Sequence, residues 1–404
     1  MSFLLFNKSA APSNPASGKA AIYADQTSGE PTYIDELGIS GNMTYDGWRD
    51  RPLIYNGMFL YAQRQVPGTL TTYSSVGGRI YTADRWCVSN ETASVQFAQV
   101  DTMGAIETGL GARYYGKFLK LTNAGKIWIG QPLEGNAIGH LRGTPVRFQC
   151  KMRYGVNPMT VRMGMIQLTA AGTVDSIPIN AGTFLSAFGA VGTDPTLGTA
   201  LAYLTPRLAE TSGTVSGTAL TCVLSNAWVR YSAVFDIPTD CKNLIPCIWT
   251  NGQPAANDTL LISECDMLDG VEVRHNFDPY ANVLELLRCK KFYNKTFADA
   301  TAPAQNAGVL GALRDQVAIA GAVTTSSVMQ WRFPVQMRAA PSTVTFYNPS
   351  AANAYCRNVP AATDATATAS ASGTKDCIDI NVTGLAGWTA GQELKVHCTV
   401  EAEL

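Results

Sequence analysis

The stretch Thr144–Leu168, TPVRFQCKMRYGVNPMTVRMGMIQL, holds two apolar, β-prone runs parted by Gly155, Asn157 and Pro158. Gly, Asn and Pro interrupt regular structure, while short runs rich in Val, Phe, Met and Ile favour strands. Comparable runs lie on both sides. RPLIYNGMFLYAQ, GRIYTADRWCV, KFLKLT and KIWIGQPL precede it; TALTCVL, WVRYSAVFDI and DTLLISECDML follow. No helices alternate with them between Asp46 and about Pro279. Many short strands at turn-punctuated spacing read as a jelly-roll β-sandwich.

The rest of the chain is organised around that sandwich. The expected class is all-β: an N-terminal hairpin arm (1–45), the jelly roll (46–280), a helix and linker (281–308), and a C-terminal β-domain (309–404). In the arm, KAAIYAD and TYIDELG flank QTSGEP, two alternating runs around a Gly/Pro turn. Ala181–Gly213 has weak periodicity and reads as a surface insertion with room for a short helix. The one specified helix has Asp278 as N-cap and Pro279 at the first helical position. Val283, Leu286, Leu287, Cys289 and Tyr293 then lie near one face, and ADATAPAQNAG follows as a linker. In ELKVHCTVEAEL, Leu394, Val396, Cys398 and Val400 alternate with Lys395, His397, Thr399 and Glu401, which puts His397 on the solvated side.

Composition excludes several partners. Of 404 residues only 15% are charged, and the net charge is −1. No run of Lys or Arg is present to displace counterions from nucleic acid, or to hold the chain to an anionic membrane. The apolar run Phe3–Phe6 is too short for a secretory signal, and no segment approaches the ~20 apolar residues of a membrane span. These features predict a soluble chain made in a cytosol, with no membrane insertion. Ten cysteines and three histidines are scattered without C-x-x-C or paired spacing, so they read as core rather than metal ligands. Cys241 and Cys247 are the nearest pair for an oxidative bridge.

YTADRWCV, Tyr81–Val88, gathers an acid, a base, an indole and a thiol. Taken as a strand, it places Thr82, Asp84, Trp86 and Val88 on one face and Arg85 on the other. Asp84 and Trp86 then belong to structural core. Glu264 and Asp266 in ECDMLDG have the separation of a glycosidase pair, but any acidic strand produces that spacing. No G-x-S-x-G, phosphate loop or G-x-G-x-x-G is present. No catalytic residue is nominated, and the chain is read as not an enzyme. Sugar recognition needs exposed rings beside amides or acids. The candidates are Trp48, Tyr114, Tyr115 and Trp128. Trp128 lies between Ile127 and Ile129, so it points outward if the isoleucines are core.

IYNGMFLYAQRQ with YTADRWCV, then WVRYSAVFDIP, then FDPYANVLELLRCKKFY resemble, in order and spacing, bacteriophage and prophage tail fibre-like proteins with a carbohydrate-binding-module-like jelly roll. WRFPVQMRAAPSTVTFYNP, TAGQELKVHCTVEAEL and the N-terminal PSNPASGKAAIYAD fit the same group. The resemblance implies a virion protein, assembled as a homotrimer in the bacterial cytoplasm. Residues 1–40 would dock on other virion proteins, and the β-domains would contact host surface glycan. Head fibre, decoration or tail-adaptor roles are the structural alternative, and a polysaccharide depolymerase is the enzymatic one. No cofactor is expected beyond the structural calcium of related jelly rolls. Its acidic ligand after Gly-Phe is replaced here, since Leu60 follows Phe59. Glu264 and Asp266 remain as calcium candidates.

Overall fold

The two runs of Thr144–Leu168 become the strands Pro145–Tyr154 and Thr160–Leu168, and they lie in opposite sheets. One sheet runs Gly213–Ser216, Ala219–Val223, Thr160–Leu168, Asn243–Thr250, Ile127–Gly130, Cys87–Asn90, Ile80–Tyr81, with Leu201–Leu204 also pairing Thr160–Leu168. The facing sheet runs Pro206–Thr211, Val229–Asp236, Pro145–Tyr154, Thr259–Asp269, Tyr114–Lys120, Val95–Asp101, Thr71–Tyr73. Alternation explains the core. Val146, Phe148, Cys150 and Met152 point inward from one sheet and meet Val161, Met163 and Met165 from the other. Each such side chain contributes roughly 1.5–3 kcal/mol on burial. The fold is therefore an antiparallel β-sandwich.

The computed structural model describes residues 53–92, 94–104, 107–120, 125–270, 282–316, 325–369, 373–385 and 391–404, together with four strands before residue 53. Those four form a separate unit, Met1–Arg51. In it Ala20–Asp25 and Pro31–Asp35 make the expected hairpin, in register from Ala20↔Asp35 to Ala24↔Pro31. Lys8–Ser9 joins it in parallel and Ser40–Asn42 antiparallel.

Residues 52–404 form the other unit, which also contains a third sheet. That sheet is centred on Glu393–Glu401, whose Leu394, Val396, Cys398 and Val400 enter a second core with Ile378, Ile380 and Val382. Buried charge joins it to the sandwich. The Glu403 carboxylate takes Arg64 at 3.0 Å and also pairs with Arg85, whose side chain is fully buried. Lys291 reaches Glu134 at 2.7 Å. Leu404 packs with Trp128 and Trp249 on the outside of the first sheet. All ten cysteines are free thiols, and nine are buried.

Five readings of the sequence need correction. The run Arg51–Gln63 is not a strand in its described part, Leu53–Gln63. Turns occupy it, Asn56 and Phe59 have φ of 54° and 53°, and Phe59 plugs the core. A side chain at Gly57 would lie 2.0 Å from the Cys265 carbonyl, so the chain comes too close there for any other residue.

YTADRWCV is a hairpin end rather than one strand. Ile80–Tyr81 pairs with Cys87–Asn90, and Arg85 turns the chain at φ 71°. Ala181–Gly213 is not an outlying insertion, and its described residues hold no helix. It supplies Leu201–Leu204 to one sheet and Pro206–Thr211 to the other.

The helix, Asn282–Lys290, buries Glu285 and Cys289 and leaves Leu284 and Leu287 exposed. Asp278 and Pro279 lie outside the described residues. His397 is buried, because the segment read as a linker lies over it. Thr296 Oγ1 is 2.9 Å from Nδ1, the Gly308 carbonyl is 3.0 Å from Nε2, and Phe297 stacks at 4.0 Å. Burial lowers the pKa of this imidazole, against the pull of the Gly308 carbonyl.

Candidate functional site

A cleft of about 340 Å³ opens beside the far end of the second sheet. The loop Leu60–Gly68 forms one wall, Gln99, Asp101 and Tyr114 on two neighbouring strands form the floor, and Asp299–Ala300 form the other wall. Leu60, Ala62 and Pro67 make much of the surface apolar, while Gln63, Gln99, Asp101, Asp299 and the phenols of Tyr61 and Tyr114 add polar groups. No Lys or Arg lines it.

Packing fixes both walls. Asn56 holds Tyr61 through its amide and carbonyl, at 3.0 and 2.8 Å. The Asp84 carboxylate accepts the Gln63 amide at 3.3 Å and the Gln63 Nε2 at 2.9 Å, and Arg64 stands 3.7 Å away. Asp84 is 1% exposed and Trp86 fully buried. Trp86 stacks on Phe59 at 5.2 Å and donates to the Asn56 carbonyl at 3.1 Å. The acid and indole of YTADRWCV thus lie beneath the cleft. Gln99 Nε2 donates to the Phe59 carbonyl at 2.6 Å, tying floor to loop.

The electrostatics suit hydrogen bonding more than chemistry. Burial, reinforced by Asp299 among other groups, pushes the Tyr61 phenol up to about 12. Burial and Asp101 raise Tyr114 as well. Arg113, donating to Asp101 at 2.8 Å, holds that carboxyl below its usual range, helped by the Met103 amide. At neutral pH the cleft offers two neutral phenols and ionised carboxylate, while the buried Gln63 and Gln99 side chains donate into the protein beneath it.

The nominated residues do not converge. Tyr114 lines the cleft. Tyr115, its neighbour on the strand, points the other way, is 8% exposed and meets the edge of Trp228 at 5.4 Å. Trp128 does point away from Ile127 and Ile129, but Phe184 covers it at 4.8 Å and leaves it with no exposed surface. Neither ring is exposed, because chain from outside the strand covers the outer face. Trp48 lies outside the described residues.

Glu264 sits at a β-bulge with φ 49°. It accepts the Gly111 amide at 2.6 Å and pairs with Lys151 at 2.9 Å and Arg230 at 3.2 Å. Asp266 is fully buried, and burial pushes it up to about 7. A carboxylate already neutralised by two cations does not fit a calcium ion, which needs six to eight oxygens. Among the described residues no group of three or more His, Cys, Asp or Glu could hold a metal.

Of the residues that line the cleft, the sequence singled out Tyr114 and not Tyr61, Gln63, Gln99, Asp101 or Asp299. The Asn56–Gly57 pair, a turn signal inside an apparent strand, was the available pointer to the Leu60–Gly68 wall.

No family model and no curated protein matches the chain. Among solved structures, the enzymatically active domain of tailspike protein 4 from bacteriophage CBA120 is 8% identical, with TM-score 0.32, over 54% of this chain and 21% of that one. A sugar-binding protein from Bacteroides thetaiotaomicron, described only as a presumed one, is 12% identical, with TM-score 0.31, over 54% of this chain and 100% of its own. The C-terminal family 22 carbohydrate-binding module of a Clostridium thermocellum xylanase is 12% identical, with TM-score 0.29, over 50% and 99%. Likenesses of this strength assign no function to this chain.

Proposed function

We propose that the chain is a non-catalytic phage adhesion protein whose cleft holds an uncharged host-surface glycan. The observation that carries this is the cleft itself. Apolar surface and two neutral phenols suit sugar C–H faces, and carboxylate suits hydroxyls. With acids and no cation in its lining, the cleft disfavours uronates and phosphorylated sugars. The non-catalytic reading is supported by the state of its acids. Asp101 is held low by Arg113, which is not the environment of a proton donor. The setting in a virion, the docking role of residues 1–40 and the homotrimer follow from the sequence resemblance.

The test is binding of purified full-length protein to neutral gluco-, xylo- and manno-oligosaccharides and to a uronate counterpart. Tyr114→Ala should weaken the neutral sugar bound best by about tenfold, equivalent to about 1.4 kcal/mol, with thermal unfolding unchanged. Failure of every neutral sugar to bind, or equal binding by the variant, would sink the reading. Release of reducing ends that Glu264→Gln abolishes would establish the depolymerase instead. The structural alternative is favoured by exposed Leu284 and Leu310, at 64% and 80%. Under it, Tyr114→Ala leaves both assembly and host adsorption intact.

A further inference from the structure

We infer that Lys295 is a positioning residue that ties the two walls of the cleft together. The inference rests on reading the cleft as the binding site. Lys295 ends the strand Tyr293–Lys295 and is 8% exposed. Its Nζ donates to the Gln63 carbonyl at 3.0 Å in one wall, and to the Asp299 and Thr301 carbonyls at 2.8 Å each in the other. An ammonium has three N–H donors, and all three are used. Among the described contacts, this is one side chain whose single charged group bridges both walls directly.

A neutral amine has only two N–H donors, so deprotonation must release at least one of the three carbonyls. The charged groups facing Lys295 come from four elements. Asp84 comes from the hairpin end, Asp299 from the wall turn and Lys290 from the helix, and Asp84 itself is met by Arg64 from the loop, the fourth element. Burial lowers Lys295 to about 8, opposed by Asp84 and Asp299 and assisted by Lys290.

The sign separates this tie from an ordinary stabilising contact. Between about 8 and the ordinary lysine value of about 10.4 the unfolded chain binds more protons than the folded one, so global stability rises with pH across that window. The same sign holds for a local opening that returns Nζ to water: the opened state binds more protons, so opening costs more as pH rises across that window.

Amide hydrogen exchange on the full chain, with no sugar present, tests the tie separately from the glycan reading. After correction for intrinsic rates, the peptides carrying the Gln63, Gln65 and Thr301 amides should be less protected in Lys295→Met than in the wild type by about threefold or more. The strand Asn243–Thr250 should stay protected. Lys290→Met, which removes a like charge outside the cleft, should keep wild-type protection. Wild-type protection of the wall peptides in Lys295→Met, or loosening that extends to Asn243–Thr250, would overturn the inference. Sugar binding measured on the same samples reports on the cleft reading independently.

Discussion

Asp266 and Glu403 show how differently a buried carboxylate can act. Asp266 is fully enclosed, and burial outweighs the help of the Met267 amide and the Arg230 guanidinium. Its folded value of about 7 lies above the ordinary carboxylate value, so the folded state binds the extra proton between the two. Stability contributed by this group is present below about pH 4 and is lost as pH rises toward 7. Asp266→Asn should therefore flatten the fall in urea midpoint between pH 5 and pH 8, and should stabilise the protein at pH 8 by a few kcal/mol, at about 1.4 per pKa unit. An unchanged slope in the variant counts against this reading. Glu403 is the counterpart of two guanidiniums, and Arg85 also lies 3.5 Å over the Phe292 ring. Glu403→Ala leaves Arg85 charged and enclosed without its carboxylate, so unfolding experiments should show a loss of about 3–5 kcal/mol. A loss below about 1 kcal/mol would mean that the pair carries little.

At the level of elements, a strand's outer face is decided by what lies over it. The central strands were legible because Val146, Phe148, Cys150 and Met152 alternate against Arg147, Gln149 and Lys151. Alternation also placed Trp128 opposite its isoleucines. It could not report that Phe184, Leu185 and Leu201, from the Gly-, Ala- and Thr-rich segment downstream, would pack over the ring. Lys126 helps to seat that segment, donating to the Phe188 carbonyl at 3.1 Å. Trp128→Ala should accordingly cost about 3–5 kcal/mol of stability through the cavity it leaves, while at temperatures where the variant is folded its sugar affinity equals wild type. Selective loss of sugar binding at full stability would restore Trp128 as a ligand residue. The cleft was less legible for a related reason. Its walls are loops whose conformations depend on Asp84 and Lys295, which are remote in sequence.

Across the whole molecule, the division at Arg51/Pro52 separates a four-stranded unit from one that contains both sandwich sheets and the C-terminal sheet. A chain of residues 52–404 should fold alone, with a thermal midpoint within about 3 °C of the full chain. A large drop would show that the first unit supplies core. Cutting before the helix should fail, since Leu404, Glu403 and Lys291 complete the surface of the sandwich. By itself the sequence determined the all-β class, the N-terminal hairpin and the inward faces of the main strands, because turn residues and two-residue periodicity are local properties. Tertiary structure alone decided which sheet each strand joined, which rings were covered and where a cleft was left. Those outcomes depend on contacts between segments tens to hundreds of residues apart, which no local pattern records.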